Sequence, residues 1–588
     1  LAFAVRSSIA VPLFFSGAWN DTYSSLFDGG IYDNFPVEPL REAFQPDFVL
    51  GISVHTSDRV GESATEASGF LRLLISSHLI DLKSWEKMPE AGFLIAPDLG
   101  RVSPLDFSTE AVRQAIDAGY EATRSCIGEL RQRLHRVQDS TARAAARRAF
   151  RQRWPQLHIE SVEVNGLNSW ESRYMRQLLK PDRRNTSFSD LRIAYNRLRR
   201  DAKLNYIFPE LNYRPESGGY AARFHIRPAP RMGLRFGATY FSPNDHQLEV
   251  GLRFKGIGPL GYEAEGTLHQ GSIVNAVRLR GHASLPLRLP IAVELLNEVD
   301  QWDLQRPVVS LLSTEKYSTI SQAHFEFRPA VLLALNTKST LTAAWALQNQ
   351  RLLYYANPNR PALGERDRSD WVGQSAWLEY QRNSYDRKMY ARQGSRLHVQ
   401  AGGRLAEERF KSAETKARRP TVAHSWVQAQ LRYRQTLREW KPLHVGWSVD
   451  AAWSTLGATG DLTTHRLLSP KFDPLVDSPF IYIPELYSRL YGAGGLHLIW
   501  AFTDAFDLRI EGWYMHSFWR PNFRADGRWS NVYEISPDVG LFAASAGGAY
   551  RTKVGPIGAF LQYYSRADQP FRVLVHLGFL ILPRRPWS

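Results

Sequence analysis

One acidic motif near the start of the chain could place a reactive side chain. Asp28 follows the apolar pair Leu26-Phe27 and is followed by Gly29 and Gly30. Two glycines after an acid allow a tight turn that other residues could not adopt, and such a turn leaves the carboxylate of Asp28 at the end of a strand. Alone, the Asp-Gly-Gly motif most often marks a plain turn, so the surrounding sequence has to decide between the two interpretations.

That surrounding sequence, from residue 1 to about residue 135, resembles the patatin-like phospholipase family. We therefore expect residues 1–135 to be the C-terminal part of an α/β patatin hydrolase domain. The segments that carry the resemblance follow the order of the family: 7–12 (SSIAVP), 28–37 (DGGIYDNFPV), 48–54 (FVLGISV), 93–98 (FLIAPD), 103–107 (SPLDF) and a helix through Gly119-Tyr120.

The resemblance implies a serine acyl hydrolase with a Ser–Asp dyad. By its position in the family, Asp28 is the aspartate that accepts the proton of the serine hydroxyl, and Gly29 and Gly30 complete its motif. The implied substrate is a phospholipid or another lipid ester. We expect no cofactor and no metal ion.

The nucleophile of such a dyad is missing from the chain. The family carries its serine in a Gly-x-Ser-x-Gly elbow upstream of the aspartate, and the sequence contains no such elbow. Because losing one member of a catalytic unit removes most of the activity, we expect this chain to be inactive, a truncated copy that begins late in the hydrolase domain. After Asp28, the Gly-x-Ser runs lack the second glycine of the elbow; they contain Ser53, Ser63 and Ser375. Before Asp28, no serine stands in an elbow; these serines are Ser7, Ser8, Ser16, Ser24 and Ser25.

A linker and a small domain follow the hydrolase part. Residues 131–153 are rich in arginine and alanine without glycine or proline, which predicts a connecting helix within a linker of residues 136–156. Between residues 157 and 230 the pattern predicts the order β-α-α-β-β, with strands at 158–164, 204–213 and 220–227 and helices at 169–179 and 188–198. This order, with the run 164–166 (VNG) after the first strand, resembles a POTRA domain. The resemblance implies a periplasmic module that can receive unfolded strands by edge pairing.

The rest of the chain, residues 231–588, alternates between apolar and polar positions, for example in 234–240, 248–254 and 427–433. A soluble all-β binding protein could show the same alternation with its apolar face turned inward. The tract is too long for a sandwich of about 100 residues, however, and its alternating final strand, 571–581, can close a sheet on itself. We predict an antiparallel transmembrane β-barrel of about 16 strands in the outer membrane of a Gram-negative bacterium.

Aromatic residues recur near the predicted strand ends. Trp and Tyr at both surfaces of the membrane form the girdles of outer-membrane barrels, so we expect these side chains to lie on the outside. They are Trp371, Trp377, Tyr380, Trp426, Trp447, Trp500 and Trp513.

The barrel resembles the bacterial surface-antigen superfamily. Residues 386–401 (DRKMYARQGSRLHVQA) look like that superfamily's Arg-x-Gly-x-x-Leu strand entry, whereas its Val-Arg-Gly-Tyr loop motif has only a loose counterpart in 489–492 (RLYG). Hydrolase, POTRA and barrel in this order resemble the patatin-type autotransporters of Gram-negative bacteria.

Two functions stay open at this point. The first is an outer-membrane-anchored lipid acyl hydrolase whose nucleophile segment this chain lacks. The alternative is a non-enzymatic barrel for transport, secretion or assembly that carries a hydrolase remnant. The expected partners are the lipid ester substrate, outer-membrane lipid and the barrel assembly machinery, with a homodimer left open. Because the net charge of +15 is spread through the whole chain, we expect no nucleic-acid partner.

Overall fold

The computed structural model divides into two units, Leu1–His158 with Pro209–His225 and Ile159–Phe208 with Ile226–Ser588. The predicted domain boundaries at residues 135, 156 and 230 remain predictions. The residues that the structure describes are 2–11, 15, 17–18, 26–33, 35–54, 88–89, 92–99, 108–134, 139–153, 157–179, 187–199, 201–241, 245–287, 290–308, 316–355, 365–414, 416, 418–440, 442–523, 529–533, 540–552, 555–567 and 570–578.

The first part of the chain contains helices and one small parallel sheet. Strands β1 (Leu50–Ile52) and β2 (Phe93–Ile95) pair in parallel, at two of the segments on which the hydrolase resemblance rests. The segment 103–107 lies outside the described residues, and the patatin assignment itself stays a prediction. None of the described helices is long and apolar enough to cross a membrane. The helices here are α1 (Ala2–Ser8), α2 (Val37–Phe44), α3 (Thr109–Leu134) and α4 (Ser140–Gln152).

The single connecting helix predicted over 131–153 is wrong. Helix α3 ends at Leu134, and α4 begins anew at Ser140. Asp139 precedes α4 with an extended backbone, and its carboxylate accepts a hydrogen bond of 3.1 Å from the amide nitrogen of Thr141. A capping carboxylate satisfies an amide of the first helical turn, so Asp139 starts a new helix within a run that lacks glycine and proline.

A three-stranded sheet with two helices follows in the predicted β-α-α-β-β order. Both predicted helices are confirmed at each end, and Ser187 caps the second one by accepting a hydrogen bond of 3.1 Å from the amide of Asp190. The sheet has the strand order β3-β5-β4. The POTRA assignment stays a prediction. The elements are β3 (Ile159–Asn165), α5 (Ser169–Leu179), α6 (Phe188–Leu198), β4 (Leu204–Arg214) and β5 (Gly219–Pro228).

Sixteen of the described strands form a closed antiparallel barrel, which confirms the predicted barrel of about 16 strands. Each barrel strand pairs with the next along the chain, and the last strand returns to the first, so the ring closes. The strands are β6 (Met232–Phe241), β7 (Asp245–Ile257), β8 (Gly261–Gly271), β9 (Val274–Ser284), β10 (Ile291–Val308), β11 (Lys316–Ala334), β12 (Ser339–Tyr354), β13 (Asp367–Asn383), β14 (Gly394–Lys411), β15 (Val422–Trp440), β16 (Leu443–Ser454), β17 (Leu490–Ala501) and β18 (Phe506–Ser517), then a separate hairpin of β19 (Trp519–Phe523) and β20 (Trp529–Tyr533), and finally β21 (Gly540–Arg551), β22 (Pro556–Tyr564) and β23 (Phe571–Leu577).

The outer face of the barrel is apolar, and its lumen face is largely polar. Leu234 and Leu496 are exposed on the outside by 77% and 69%, whereas Glu326, Gln348 and other polar side chains of alternate positions are buried inside. A membrane-embedded sheet needs both an apolar exterior and a closed ladder of backbone hydrogen bonds, because hydrocarbon offers no hydrogen-bond partner. The soluble all-β alternative is therefore wrong, since the apolar face points outward.

The predicted aromatic girdle is only partly correct. Trp500 is 48% exposed on the outside, but Trp371, Trp377, Trp426 and Trp513 are buried on the inward face of the wall. A period of two tells which side chains share a face of a strand; it does not tell which face meets lipid. The inward tryptophans pack in the lumen instead.

The apolar belt predicts a depth-dependent cost for outward charges. Ala343 and Asn349 both point outward from β12, Ala343 between apolar neighbours of the belt and Asn349 beyond them. We expect Ala343→Arg to lower the free energy of unfolding by about 2–4 kcal/mol and Asn349→Arg by about 0–1 kcal/mol. Urea titration in lipid vesicles measures both, and an equal cost at the two positions would contradict the placement of the belt.

Candidate functional site

The connection between β16 and β17, residues 455–489, fills part of the barrel lumen, and we call it the lumen loop. It contains helix α7 (Leu462–Leu468) and is buried together with the wall in one apolar cluster. The ring of Phe472 lies 5.6 Å from that of Trp513 on β18. The ring of Phe480 lies 6.2 Å from that of Trp302 on β10. The lumen loop therefore contacts the wall on well-separated strands.

A buried carboxylate joins the lumen loop to the last two strands. Tyr564 of β22 donates a hydrogen bond of 2.5 Å to Asp477, and Arg572 of β23 lies 3.4 Å from the other carboxylate oxygen. Ser478 adds a contact of 2.9 Å to the hydroxyl of Tyr564. Burial raises the pKa of Asp477, with Tyr564 and Arg572 acting in the opposite direction. These bonds make the position of the lumen loop depend on β22 and β23, the last two strands of the barrel.

A second carboxylate holds the start of the lumen loop against the wall. Glu408 of β14 accepts the amide of Gly460 at 2.9 Å, and it also accepts hydrogen bonds of 3.1 Å from Ser369 and His424. A side chain at position 460 would meet Glu408 at 2.8 Å, which explains the glycine there. Tyr354 and Thr464 form a further hydrogen bond of 2.6 Å between the wall and α7.

His465 lies fully buried within the lumen loop. Its Nδ1 donates a hydrogen bond of 3.0 Å to the carbonyl of Gly457, and its ring lies 5.1 Å from that of Trp519. Burial and the nearby guanidinium of Arg489 lower the pKa of His465 to about 3. The imidazole is therefore neutral at physiological pH, where it serves as a hydrogen-bond donor inside the loop.

Beside the lumen loop lies a cavity of about 1570 Å³, lined by both charged and apolar side chains. The first strands of the barrel wall carry charged side chains of both signs that point inward and form ion pairs. Among these pairs are Arg235–Glu265 at 2.7 Å and Arg280–Glu294 at 3.0 Å. Such ladders neutralise the charges that the inward face of the wall exposes. Within the described part of the chain, no group of three His, Cys, Asp or Glu side chains could hold a metal ion.

The junction of β23 with β6, which we call the seam, closes the ring between the last and the first barrel strand. Its described pairs run from Leu574–Phe241 to Leu577–Ala238. Residues 242–244 and 579–588, which flank the seam, lie outside the described residues.

The predicted strand entry within residues 386–401 is confirmed. The loose counterpart of the loop motif, residues 489–492, does not lie at the tip of a loop. Strand β14 begins at Gly394, whose φ of +102° suits glycine and where a Cβ would collide with the carbonyl of Ser384. In the segment 489–492, Arg489 is buried at the base of the lumen loop, where it donates hydrogen bonds of 3.2 and 3.3 Å to the carbonyl of Ser454. The next residues already belong to β17.

Asp28 caps a short turn, as its motif suggests. Its carboxylate accepts a hydrogen bond of 2.7 Å from the amide of Gly30, and Gly29–Ile31 form a single turn of 3-10 helix. The hydroxyl of Ser8 lies near Gly29, at 3.7 Å from where a Cβ would stand. Among the described residues, Asp28 makes no hydrogen bond to a serine hydroxyl. Ser16, Ser24, Ser25 and Ser63 lie outside the described residues, and the role of Asp28 stays a prediction.

The lumen loop was not predicted from the sequence. The signal was a long segment between two strands that combines apolar residues with prolines and acids, around 468–486 (LSPKFDPLVDSPFIYIPEL). A connection that stays outside a barrel has no need of so many large apolar side chains. Asp477 and His465 were therefore not recognised as buried groups.

Comparison with known proteins agrees with the fold. No protein-family model matches the sequence, and no curated protein matches it. BamA from Haemophilus ducreyi lacking POTRA domains 1–3 is similar at 11% identity over 72% of this chain and 84% of that chain, with a TM-score of 0.50. CdiB is similar over 90% of this chain, from Acinetobacter baumannii (7% identity, 88% of that chain, TM-score 0.44) and from Escherichia coli (12%, 90%, 0.41). At these identities the likeness concerns the fold alone.

The closed wall, the apolar exterior and the likeness to the BamA barrel define the class of protein. The chain is a 16-stranded outer-membrane β-barrel, which confirms the predicted localisation in the outer membrane of a Gram-negative bacterium. Within that class, its fold is similar to that of the BamA barrel.

The buried imidazole predicts an acid-sensitive lumen loop. A folded pKa of about 3, below the ordinary 6.5, means that His465 contributes stability above pH 6.5 that is lost as the pH falls toward 3. We expect His465→Gln to flatten this decline, which amounts to about 1.4 kcal/mol for each pH unit within that window. Thermal unfolding followed by tryptophan fluorescence from pH 7.5 to 4.5 measures it. Parallel curves for the two proteins would contradict the neutral, buried state of His465.

Proposed function

We propose that the barrel inserts or exports polypeptide chains at its seam. The observation that carries this proposal is that the ring closes between the two ends of the barrel sequence, where strand pairing and not a connecting turn holds β6 and β23 together. At a net 0.5–1.5 kcal/mol for each backbone hydrogen bond, the four described pairs of the seam contribute on the order of 2–6 kcal/mol.

The lumen supports a lateral route better than passive flow along the barrel axis. The lumen loop packs an apolar core between the walls, with Phe472 and Leu486 fully buried, and Asp477 and Glu408 fix the loop to opposite regions of the wall. A solute pore needs a water-filled passage through its lumen. A wall that parts at one junction needs none.

Strand pairing gives the seam a means of recognition. A parted seam offers the backbone groups of β6 and β23, and an extended polypeptide can pair with such an edge by adding a strand. The three-stranded sheet before the barrel has β3 and β4 at its edges and is suited to the same kind of pairing. The expected partners are therefore unfolded outer-membrane or secreted polypeptides and the assembly machinery that delivers them.

Locking the seam tests this function. Tyr240 and Val575 face each other across the seam and point outward, with 48% and 40% exposure. We expect Tyr240→Cys with Val575→Cys, in a Cys126→Ser background, to lose function when a reductant-cleavable crosslinker joins the two thiols. The measurement compares outer-membrane and secreted proteins in the native host. The proteins lost on gene deletion should be lost on crosslinking and return after reduction.

The matched control locks a neighbouring junction. Leu268 on β8 and Val277 on β9 are also paired and outward-facing, with 51% and 49% exposure, so a Leu268→Cys with Val277→Cys pair crosslinks the wall without touching the seam. This variant should remain functional. Full function of the crosslinked Tyr240–Val575 variant would overturn the proposal.

Lipid acyl hydrolysis is the second candidate function. It would require a complete patatin-like domain, including the serine nucleophile. The observation that favours it is the Asp28 turn, in which the carboxylate is held by the amide of Gly30, together with the parallel pairing of β1 and β2 that an α/β hydrolase requires. Asp28 would act as the base of a serine nucleophile that the sequence does not supply.

The missing elbow predicts that this chain hydrolyses no lipid ester. We expect the purified protein to release no fatty acid from phospholipid vesicles above the rate of its Asp28→Asn variant, and to react with no fluorophosphonate probe, because a dyad without its serine loses the covalent step. Labelling of one serine by the probe, abolished by Asp28→Asn, would contradict this expectation and assign the nucleophile.

A further inference from the structure

The turn between β13 and β14, residues 384–393, extends across one end of the barrel, and we call it the mouth turn. It lies at the end where β6 begins, as do the connections from β17 to β18 and from β21 to β22. β13 and β14 are the eighth and ninth of the sixteen barrel strands, and β23 is the last, so they stand on opposite sides of the ring. Side chains of the mouth turn nevertheless contact β18, β22 and β23.

An ion-pair cluster anchors the mouth turn to the wall at β18. Arg392, itself buried, donates a hydrogen bond of 2.7 Å from its Nε to Asp507 at the start of β18. Arg509 and Arg551 bind the same fully buried carboxylate. Arg509 also donates to the carbonyl of Ala391 at 3.0 Å, which fixes the backbone of the turn. Hydrogen bonds between ionised groups are about twice as strong as neutral ones, and this anchor holds three arginines on one acid.

Beyond the anchor, Tyr390 reaches the strand that closes the barrel. Its ring stacks on those of Phe560 and His576, each at a centroid distance of 5.5 Å and an interplanar angle of 23°. Its hydroxyl forms a hydrogen bond with Nε2 of His576, whose Nδ1 bonds the carbonyl of Gly578 at 3.2 Å. His576 pairs with Thr239 of β6, within the four pairs of the seam.

The backbone of Tyr390 shows that these contacts decide its position. Its φ is +54°, in the left-handed region that a bulky residue rarely adopts, whereas Gly394 takes the other positive φ of this connection. The ring contacts and the cluster around Asp507 offset the unfavourable local conformation.

We propose that the mouth turn is a latch that holds the seam closed through Tyr390 and His576. The latch regulates the seam that carries the proposed function, and the inference rests on that function. A polypeptide that enters the lumen by this mouth displaces the turn, removes the aromatic stack from His576 and frees β23 to part from β6. The Asp507 cluster keeps the turn poised across the mouth in the absence of such a client.

Hydrogen exchange at the seam tests the latch without any client. We expect Tyr390→Ala to accelerate the exchange of the amides of residues 574–577 by about tenfold, because it removes two aromatic contacts and one hydrogen bond. Tyr390→Phe, which keeps the stack and loses the hydrogen bond, should give a smaller acceleration. The measurement uses the full chain in lipid nanodiscs, and the amides of β8 and β9 should exchange at the wild-type rate in every variant.

Tyr385→Ala is the matched control, since Tyr385 belongs to the same turn and lines the cavity without a ring contact to His576. It should leave exchange at residues 574–577 unchanged. Wild-type exchange there in Tyr390→Ala would overturn the latch, as would an equal acceleration in Tyr385→Ala. If Tyr390→Ala does not fold, as judged by loss of heat-modifiable migration, Tyr390→Phe decides alone: wild-type exchange in that variant overturns the latch.

The exchange experiment and the crosslinking experiment fail independently. Faster exchange at the seam in Tyr390→Ala, together with normal function of the crosslinked Tyr240–Val575 variant, would retain the latch and remove the proposed function. Loss of function on crosslinking, together with wild-type exchange in Tyr390→Ala, would retain the proposed function and remove the latch.

Discussion

Backbone hydrogen bonding in hydrocarbon is the constraint on which the rest of this structure depends. A lipid tail cannot satisfy an amide or a carbonyl, so the spanning sheet has to bond to itself all the way round. Fifteen junctions meet this demand between strands that follow each other in the barrel. The sixteenth joins residues 238–241 to residues 574–577, the two ends of the barrel sequence. The closed wall therefore depends on its last strand, which both the lumen loop and the mouth turn contact.

Closure also decides what the lumen must contain. Once the apolar side chains face lipid, the alternate positions bring charged and polar side chains inward, and these need partners there. Around the first strands the partners come from the wall itself, as in the Arg235–Glu265 and Arg280–Glu294 pairs. Elsewhere the lumen loop supplies them, with Asp477 and Gly460 bonded to the wall and Phe472 packed against Trp513.

The repeating features of this fold can be predicted from the sequence, whereas the features that depend on contacts between residues far apart in the chain cannot. Alternation predicted the barrel, the length of the alternating tract predicted about 16 strands, and helical spacing predicted both ends of α5 and α6. Alternation with a period of two could not predict that Trp371 and Trp513 face the lumen, because it does not specify which face of a strand contacts lipid. The lumen loop was not predicted because Phe472 and Asp477 are buried only by contacts with strands that are far away in the sequence. The catalytic role of Asp28 remains a prediction, since within the described residues its carboxylate makes no hydrogen bond to a serine hydroxyl.

The lumen loop restricts the order in which the protein can be built. Its apolar core is buried together with the inward face of the wall in one cluster. Asp477 bonds to Tyr564 and Arg572, which are made after the loop during synthesis and lie on the two strands that complete the ring. The loop can therefore take its final position only when the last two strands are in place. Packing of the interior and completion of the wall are coupled steps in the assembly of this protein.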